Sequence, residues 1–505
     1  MGVCWRKGLV VESETRSWRP RLQLRPRLPQ PLRGGSPRAR TVRFVAVSAL
    51  AGCVVAAGAV GAAGPWEGGQ RRAERARAAA GPEAERDEHG GGPVRPAAPP
   101  VLAGLGGRAT APLPAREGLA GALEGLLKDG ALGAQTSAAV VDVATGQQLY
   151  GADQDTPYTP ASTIKTATAA AALAALGPDH RIETTVVGDG DTVVLVGGGD
   201  PTLTARPAKE GAPAAASLKE LADATARGLK ARGKGRVKVA YDVSRYSGPA
   251  LHPIGPNENI APVSALMVDE GRLDDSDHGP ADRTTDPAGD AARKFAGMLH
   301  DAGVDADGDP AAGQAGAKAE RLASVSSPPL AALVERTLTN SDNDIAEALA
   351  RQTALASGQP ADFEGAARAV SARLEKLGLP LSGARIADGS GLDRADHVSA
   401  AFLAGLLARA ADPARPELRP VLTGLPVAGF SGTLSGRYGA DAAGRGLIRA
   451  KTGTLTGVNT LSGTVVDADG RLLSFAFMTA GAASGEAAQG ALDRLATTVA
   501  GCGCR

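Results

Sequence analysis

The chain is short of most residue types from which common active sites are built. Its 505 residues include four cysteines and six histidines. The cysteines stand at 4, 53, 502 and 504 with no CxxC spacing, and no HExxH occurs, which excludes the usual zinc sites and a disulfide scaffold. Aromatic residues make up 3%, and Trp5, Trp18 and Trp66 all lie ahead of any expected core. No GxSxG elbow is present, so an α/β-hydrolase is excluded. The run Gly228 to Lys234 approaches a P-loop, but Gly235 stands where a magnesium-binding Ser or Thr is needed, and Gly197-Gly198-Gly199 lacks the GxGxxG spacing; both read as turns. No metal or cofactor is expected. A charge excess is missing too, since the net charge is +1, yet the balance is uneven. Residues 1–43 carry eleven Lys/Arg against Glu12 and Glu14, which leaves −8 on the remaining 462 residues. A mildly acidic body argues against nucleic acid as partner, because phosphate binding needs a basic stripe.

What the chain does have is enough apolar sequence (43%) to fold as two or three domains. Residues 44–64 run for 21 positions without a charge, directly after the basic segment 1–43. That length just spans a bilayer core of about 30 Å, and the preceding arginines predict a cytoplasmic N-terminus with the rest of the chain exported. An uncleaved anchor and a signal peptide both fit. Leu50 to Cys53 matches a lipoprotein box, but it falls in the middle of the apolar run rather than at its end. Residues 65–115 are rich in Gly, Pro, Ala, Arg and Glu and read as a tether. At the other terminus Cys502 and Cys504 are close enough to pair in an oxidising compartment, or to fray unpaired.

From residue 117 the pattern is periodic. A helix is expected over 117–128, a strand pair around the turn Ala144-Thr145-Gly146, and an Ala-rich helix after Ser162 that closes at Gly177-Pro178. Residues 184–310 alternate short β-branched runs with Gly, Pro and Asp, which predicts an inserted, mainly β module with at least one helix near 216–231. Helical patterns return at 328–356, 362–377 and 398–411, followed by two strands around Asp469-Gly470 and a helix near 484–499. The expected fold is therefore α+β. An antiparallel sheet covered by helices is built from 116–183 and 311–505, and the insertion interrupts it.

Three short motifs stand in this frame: Ser162-Thr-Ile-Lys165, Ser341-Asp342-Asn343 and Lys451-Thr452-Gly453. Each alone is common, and their order carries the weight. Ser162 and Lys165 are three apart at a helix start and share a face. Ser341 to Asn343 lie on a turn between helices, and Lys451 ends an apolar strand where Gly453 lets another backbone approach.

Together the motifs resemble the active site of the serine penicillin-recognising enzymes, with their β-lactamase/transpeptidase-like fold. The separation of 179 positions from Ser162 to Ser341 holds a long insertion, which resembles penicillin-binding protein 4-type D-alanyl-D-alanine carboxypeptidases/endopeptidases, peptidase family S13. Tyr158 to Ser162, Gly199 to Leu203, Ala261 to Leu266, Asp388 to Leu392, Leu425 to Gly429 and Gly432 to Leu434 are similar to that family as well. The resemblance covers roughly residues 116–505 and implies a serine-type carboxypeptidase acting on peptidoglycan peptides outside the membrane, with β-lactams as covalent inhibitors. Ser162 would attack the peptide carbonyl, Lys165 would be its base, and Ser341 would relay a proton to the leaving amine. Asn343 would hold substrate and Lys165, and Lys451 would attract the terminal carboxylate with Thr452 and Thr454 as donors. The N–H groups of Ser162 and Thr454 would form the oxyanion hole. Asp388, Ser390 and His397 fit a loop-capping role.

Two rivals share the motifs. A β-lactamase would need a water-activating group such as the Glu of an ExxLN loop, and none is found between residues 166 and 340. A non-catalytic peptidoglycan-binding scaffold would not need all three motifs intact. A base at Lys165 must also be neutral near pH 7, against an ordinary lysine pKa of about 10.4. Burial and the like charge of Lys451 are the two expected causes.

Overall fold

The computed structural model describes residues 111–207 and 215–504. The basic segment 1–43, the apolar run 44–64 with Cys53, and the tether as far as residue 110 lie outside the described residues. Among those described, no helix is long and apolar enough to cross a membrane.

Alternation at period two decides the central layer. Strand β1 (Gln135–Asp142) turns Ala139 and Val141 into one apolar core and Ala138 and Val140 into the other. A sheet in the middle of a sandwich must do this, because successive side chains point to opposite faces. Four further strands complete the layer: β2 (Gln148–Ala152), β9 (Ile448–Leu455), β10 (Val458–Val466) and β11 (Leu472–Ala480), in the antiparallel order β2-β1-β11-β10-β9. Three of these five strands come from the last sixty residues, yet β1 lies beside β11, so the two ends of the domain close on each other. Phe475 and Phe477 of β11 stack with ring centroids 5.2 Å apart beneath α1 (Arg116–Leu127) and the closing helix α9 (Gly485–Ala500). Burial of each such side chain contributes roughly 1.5–3 kcal/mol. Cys502 and Cys504 pair in a disulfide. The tail holding them docks on the start of α1, where Ala115 N donates to Cys504 O at 2.6 Å.

The opposite face of the sheet carries α2 (Lys165–Leu176), α5 (Leu330–Asn340), α6 (Asn343–Ala356), α7 (Phe363–Lys376) and α8 (Ala400–Ala410), packed in one apolar cluster. Helix α2 is an alanine stretch buried on nearly every side, so its small side chains allow its neighbours close approach. The helical pattern expected over 328–356 is broken by Ser341, which takes a left-handed conformation (φ 59°) at the end of α5. Asp342 then opens α6 by accepting from Ile345 N at 2.9 Å.

The inserted segment carries more helix than its sequence pattern announces. Strands β3 (Glu183–Asp189), β4 (Thr192–Val196), β5 (Arg236–Asp242), β6 (Asp305–Ala306), β7 (Ala311–Ala312) and β8 (Glu320–Ser326) form a second sheet, ordered β6-β5-β4-β3-β8 with β7 beside β5. The pairs β4–β5 and β5–β6 are parallel, and parallel neighbours need a crossover, usually a helix. Helix α3 (Leu218–Ala231) provides the first and α4 (Pro287–Asp301) the second. The first matches the helix expected near 216–231. The second, PAGDAARKFAGMLHD, was not expected, although Asp286 caps it and Pro287 occupies its first position. Strand β8 pairs with β3, so this sheet continues past residue 310.

Candidate active site

The three motifs meet at one end of the central sheet. Pro160 to Ile164 form a tight turn with Ala161 at φ 47°, and Ser162 stands on it immediately ahead of α2. The Pro160 carbonyl anchors the turn by accepting from Thr163 Oγ1 and from Thr460 Oγ1 of β10, each at 2.7 Å. Gly453 on β9 lies so close that a Cβ there would sit 2.6 Å from the Pro160 oxygen. The third position of the KTG motif therefore has no room for a side chain, as its sequence context suggested.

Lys165, the first residue of α2, is fully buried. Its Nζ lies 2.9 Å from Ser162 Oγ, 2.6 Å from Asn343 Oδ1 and 2.5 Å from the Ser390 carbonyl. The Asn343 amide is oriented by its other end, since Nδ2 donates to Asn259 O at 2.9 Å. Two of the three neighbours of Nζ, the Asn343 and Ser390 oxygens, can only accept. A neutral Lys165 has two hydrogens and one lone pair. Both hydrogens are claimed, and the lone pair is left facing the Ser162 hydroxyl.

Across the cleft, Lys451 on β9 is equally buried and donates to Ser341 Oγ at 2.9 Å and to Thr452 O at 2.8 Å. Thr452 Oγ1 bonds Thr433 Oγ1 at 2.8 Å, and Gln489 Nε2 reaches Thr454 Oγ1 at 3.5 Å. The cleft between these groups has a volume of about 280 Å³ and is lined by Ser162, Ser341, Thr433, Arg437, Thr452, Thr454 and Gln489. A larger cavity of about 440 Å³, between the end of α2 and the inserted sheet, contains none of the three motifs.

All eight residues singled out from sequence (Ser162, Lys165, Ser341, Asn343, Lys451, Thr452, Gly453 and Thr454) thus fall in or directly against one cleft. Arg437 and Gln489 were not legible. Arg437 lies outside every motif and is held by Asp493 of α9, through Nε at 3.0 Å and Nη2 at 2.5 Å. Asp388 and Ser390 do cap a loop, as expected. Asp388 accepts from the N–H groups of Ser390, Gly391 and Asp393. His397 pairs through its backbone with Arg385, away from the cleft lining.

Burial is what lowers the Lys165 pKa, to about 8, because it disfavours the ammonium. Asp388, Glu347, Asp342 and Asp396 oppose the shift by favouring the charged form. Lys451 is pushed well below the ordinary lysine range, first by burial and then by the charge of Lys165. The expected repulsion between the two lysines is present, but it weighs on Lys451, while burial dominates at Lys165.

Two groups of carboxylates and imidazole come close enough to share a cation among the described residues: His252, Glu347 and Asp388, and Glu270, Asp342 and Asp344. In the first the imidazole is already paired with a carboxylate, and in the second arginines occupy the space between the acids. His252 Nε2 lies 3.0 Å from Asp388 Oδ2. Arg272 Nε donates to Glu270 at 2.9 Å, Arg336 also pairs with Glu270, and Arg283 reaches Asp344 at 3.1 Å.

The chain is similar to known proteins over most of its length. The family model described as D-Ala-D-Ala carboxypeptidase 3 (S13) matches residues 119–278 and 278–499. Carboxypeptidase DacB of Mycolicibacterium smegmatis is 39% identical over 427 residues, covering 81% of this chain and 90% of that protein. A carboxypeptidase of Mycobacterium tuberculosis is 38% identical over 431 residues, with 82% and 90% covered. Among solved structures, penicillin-binding protein 4 of Haemophilus influenzae superposes with a TM-score of 0.62 at 22% identity, covering 75% of this chain and 97% of that one. That likeness extends to the fold, an α+β arrangement of antiparallel sheet and helices. The chain belongs to the D-Ala-D-Ala carboxypeptidase 3 (S13) family of peptidases.

Proposed function

We propose that the chain is a serine-type D-Ala-D-Ala carboxypeptidase that works through an acyl-enzyme on Ser162. The observation that carries this reading is the placement of Lys165 Nζ, which has two acceptor-only partners and sits 2.9 Å from Ser162 Oγ. In the acylation step the Ser162 proton passes to the Lys165 lone pair as Oγ bonds to the penultimate carbonyl carbon. Ser341 Oγ accepts from Lys451, so its own hydrogen is free to be given to the leaving nitrogen as the C–N bond breaks, and the Lys451 ammonium replaces it along the same hydrogen bond. Water then cleaves the ester. Lys451, Thr452 and Thr454 face the terminal carboxylate, with Arg437 as a further cation in the cleft. The N–H groups of Ser162 and Thr454 take the oxyanion, and loss of one such donor typically costs about 3 kcal/mol of barrier stabilisation.

The substrate class is the D-Ala-D-Ala end of peptidoglycan peptides, and D-amino-acid cross-links suit the same acyl transfer. β-Lactams are the expected covalent inhibitors; a β-lactam complex of the Haemophilus influenzae protein is among the similar structures. Residues 44–64 after a basic segment support export, with the catalytic part held at the outer membrane face if the run stays uncleaved. The test is to incubate the purified chain with cross-linked muropeptides and weigh the products. Free D-alanine shows carboxypeptidase action and monomers from dimers show endopeptidase action, whereas unchanged substrate contradicts the proposal.

A further inference from the structure

The third partner of Lys165 is a backbone carbonyl in the turn 388–391, and that turn is fastened to α6 by one side chain. Glu347 lies one helical turn beyond Asn343, on the same face of α6. Its Oε1 accepts from Gly389 N at 2.9 Å and from Ser390 N at 2.8 Å. The two carbonyls of the same residues point the other way, to α2: Thr168 Oγ1 donates to Gly389 O at 2.7 Å and Lys165 Nζ to Ser390 O. The turn is thus a bridge between two helices, and it admits no slack. A Cβ on Gly389 would meet Ala350 Cβ at 2.7 Å, and one on Gly391 would meet the Ala161 carbonyl carbon at 2.5 Å. Glu347 is fully buried and its Oε2 has no hydrogen-bond partner, an arrangement that costs stability and that packing alone does not require.

We propose that Glu347 is a positioning residue for the base: it aims the Ser390 carbonyl at Lys165, and its charge sets the pH at which the Lys165 lone pair is free for Ser162. The inference rests on the reading of Lys165 as the base of Ser162. The groups that face Glu347 are Arg351 on its own helix, His252 from the inserted segment, Asp388 from the loop that holds the turn, and Lys165 from α2. Burial first, and then the Asp388 charge, raises the Glu347 carboxyl to about 7. Glu347 therefore changes charge close to where Lys165 does, and its anion favours the ammonium.

The test follows acylation by a fluorescent penicillin from pH 5 to 9, with the acylation rate constant separated from the initial binding constant. Glu347→Gln keeps an oxygen for both N–H groups and loses the charge. It is expected to keep the maximal rate within about threefold, with the acid limb displaced to lower pH by about half to one unit. Glu347→Ala loses the acceptor as well and is expected to slow acylation at least about tenfold with the initial binding constant unchanged. An unmoved limb in Glu347→Gln, or a rate for Glu347→Ala within twofold of the unaltered chain, overturns the proposal. Should Glu347→Ala fail to fold, the limb of Glu347→Gln decides alone. If Ser162→Ala or Lys165→Ala is still labelled, the fault lies in the assignment of nucleophile and base instead.

Discussion

The two buried lysines of the cleft stand in opposite surroundings. Lys165 is ringed by Asp388, Glu347, Asp342 and Asp396, whose negative charge offsets part of the burial cost and leaves its pKa at about 8. Lys451 has the Ser341 hydroxyl and the Thr452 carbonyl for partners and the charge of Lys165 as a neighbour, so among the described residues no counter-charge offsets its burial. Equal burial with unequal counter-charge gives the two amines different work. In the proposed mechanism Lys165 is the group that exchanges a proton near neutrality, as a base must. Among the described residues Lys451 has no anionic partner, and a substrate carboxylate would supply one. On this account a bound carboxylate favours the Lys451 ammonium, and the substrate completes the site electrostatically.

The largest effects should come from the Lys165 side. Ser162→Ala or Lys165→Ala is expected to reduce penicillin acylation by at least about 10³-fold, as measured by stopped-flow labelling. The Lys451 side should show a smaller and more selective loss. Lys451→Ala is expected to slow acylation by an anionic penicillin about 10²-fold. With a neutral thioester substrate, its acid limb should stay within about half a pH unit, because burial rather than Lys451 keeps Lys165 low. A limb that rises by one to two units would mean that Lys451 tunes the base directly, and the comparison would collapse.

The contrast between site and scaffold explains what the sequence could show. The SxxK, SDN and KTG motifs are local in the chain, so their order was legible and suggested the family resemblance, and the structure brings all three to one cleft. The central strands were legible too, since β1 and β11 alternate between two cores. Glu347 was not, because nothing in IAEALARQ separates a buried acceptor from a solvated glutamate. Its partners, Gly389 and Ser390, lie more than forty residues away. Arg437 is fixed by Asp493 on the last helix, a pairing that only the fold creates. Helix α4 was hidden for another reason. Its buried face of Ala288, Ala291, Ala292, Phe295 and Leu299 has the helical period and its caps are sound, so the signal was present and the surrounding β-branched runs led the reading away from it.

Away from the cleft, effects should fall on stability alone. Asp142 at the end of β1 holds Arg471 through two hydrogen bonds of 2.6 and 2.8 Å, with both residues buried. Arg471→Ala leaves that carboxylate unpaired and is expected to cost about 3 kcal/mol in urea unfolding, with little change in acylation of the folded fraction. The same pair has a pH signature. Burial alone would raise the Asp142 carboxyl, but the Arg471 and Thr145 hydrogen bonds prevail and hold it below the ordinary range. Its contribution is therefore complete above the unfolded pKa of about 3.9 and is lost as pH falls through the lower folded value. The smallest effect belongs to the tail. The Cys502–Cys504 bridge closes a very short loop, so reduction is expected to lower stability by less than about 1–2 kcal/mol, seen as a shift of a few degrees at most in thermal melting.

The central claim is that a buried, near-neutral Lys165 activates Ser162. The most direct measurement is the pH dependence of acylation by a neutral thioester, with the adduct located by peptide mapping. The account predicts a label on Ser162, a rate that levels off above pH of about 8, and a fall of about tenfold per unit below it. A label on another residue, or a rate that keeps rising to the ordinary lysine value of about 10.4, would contradict it.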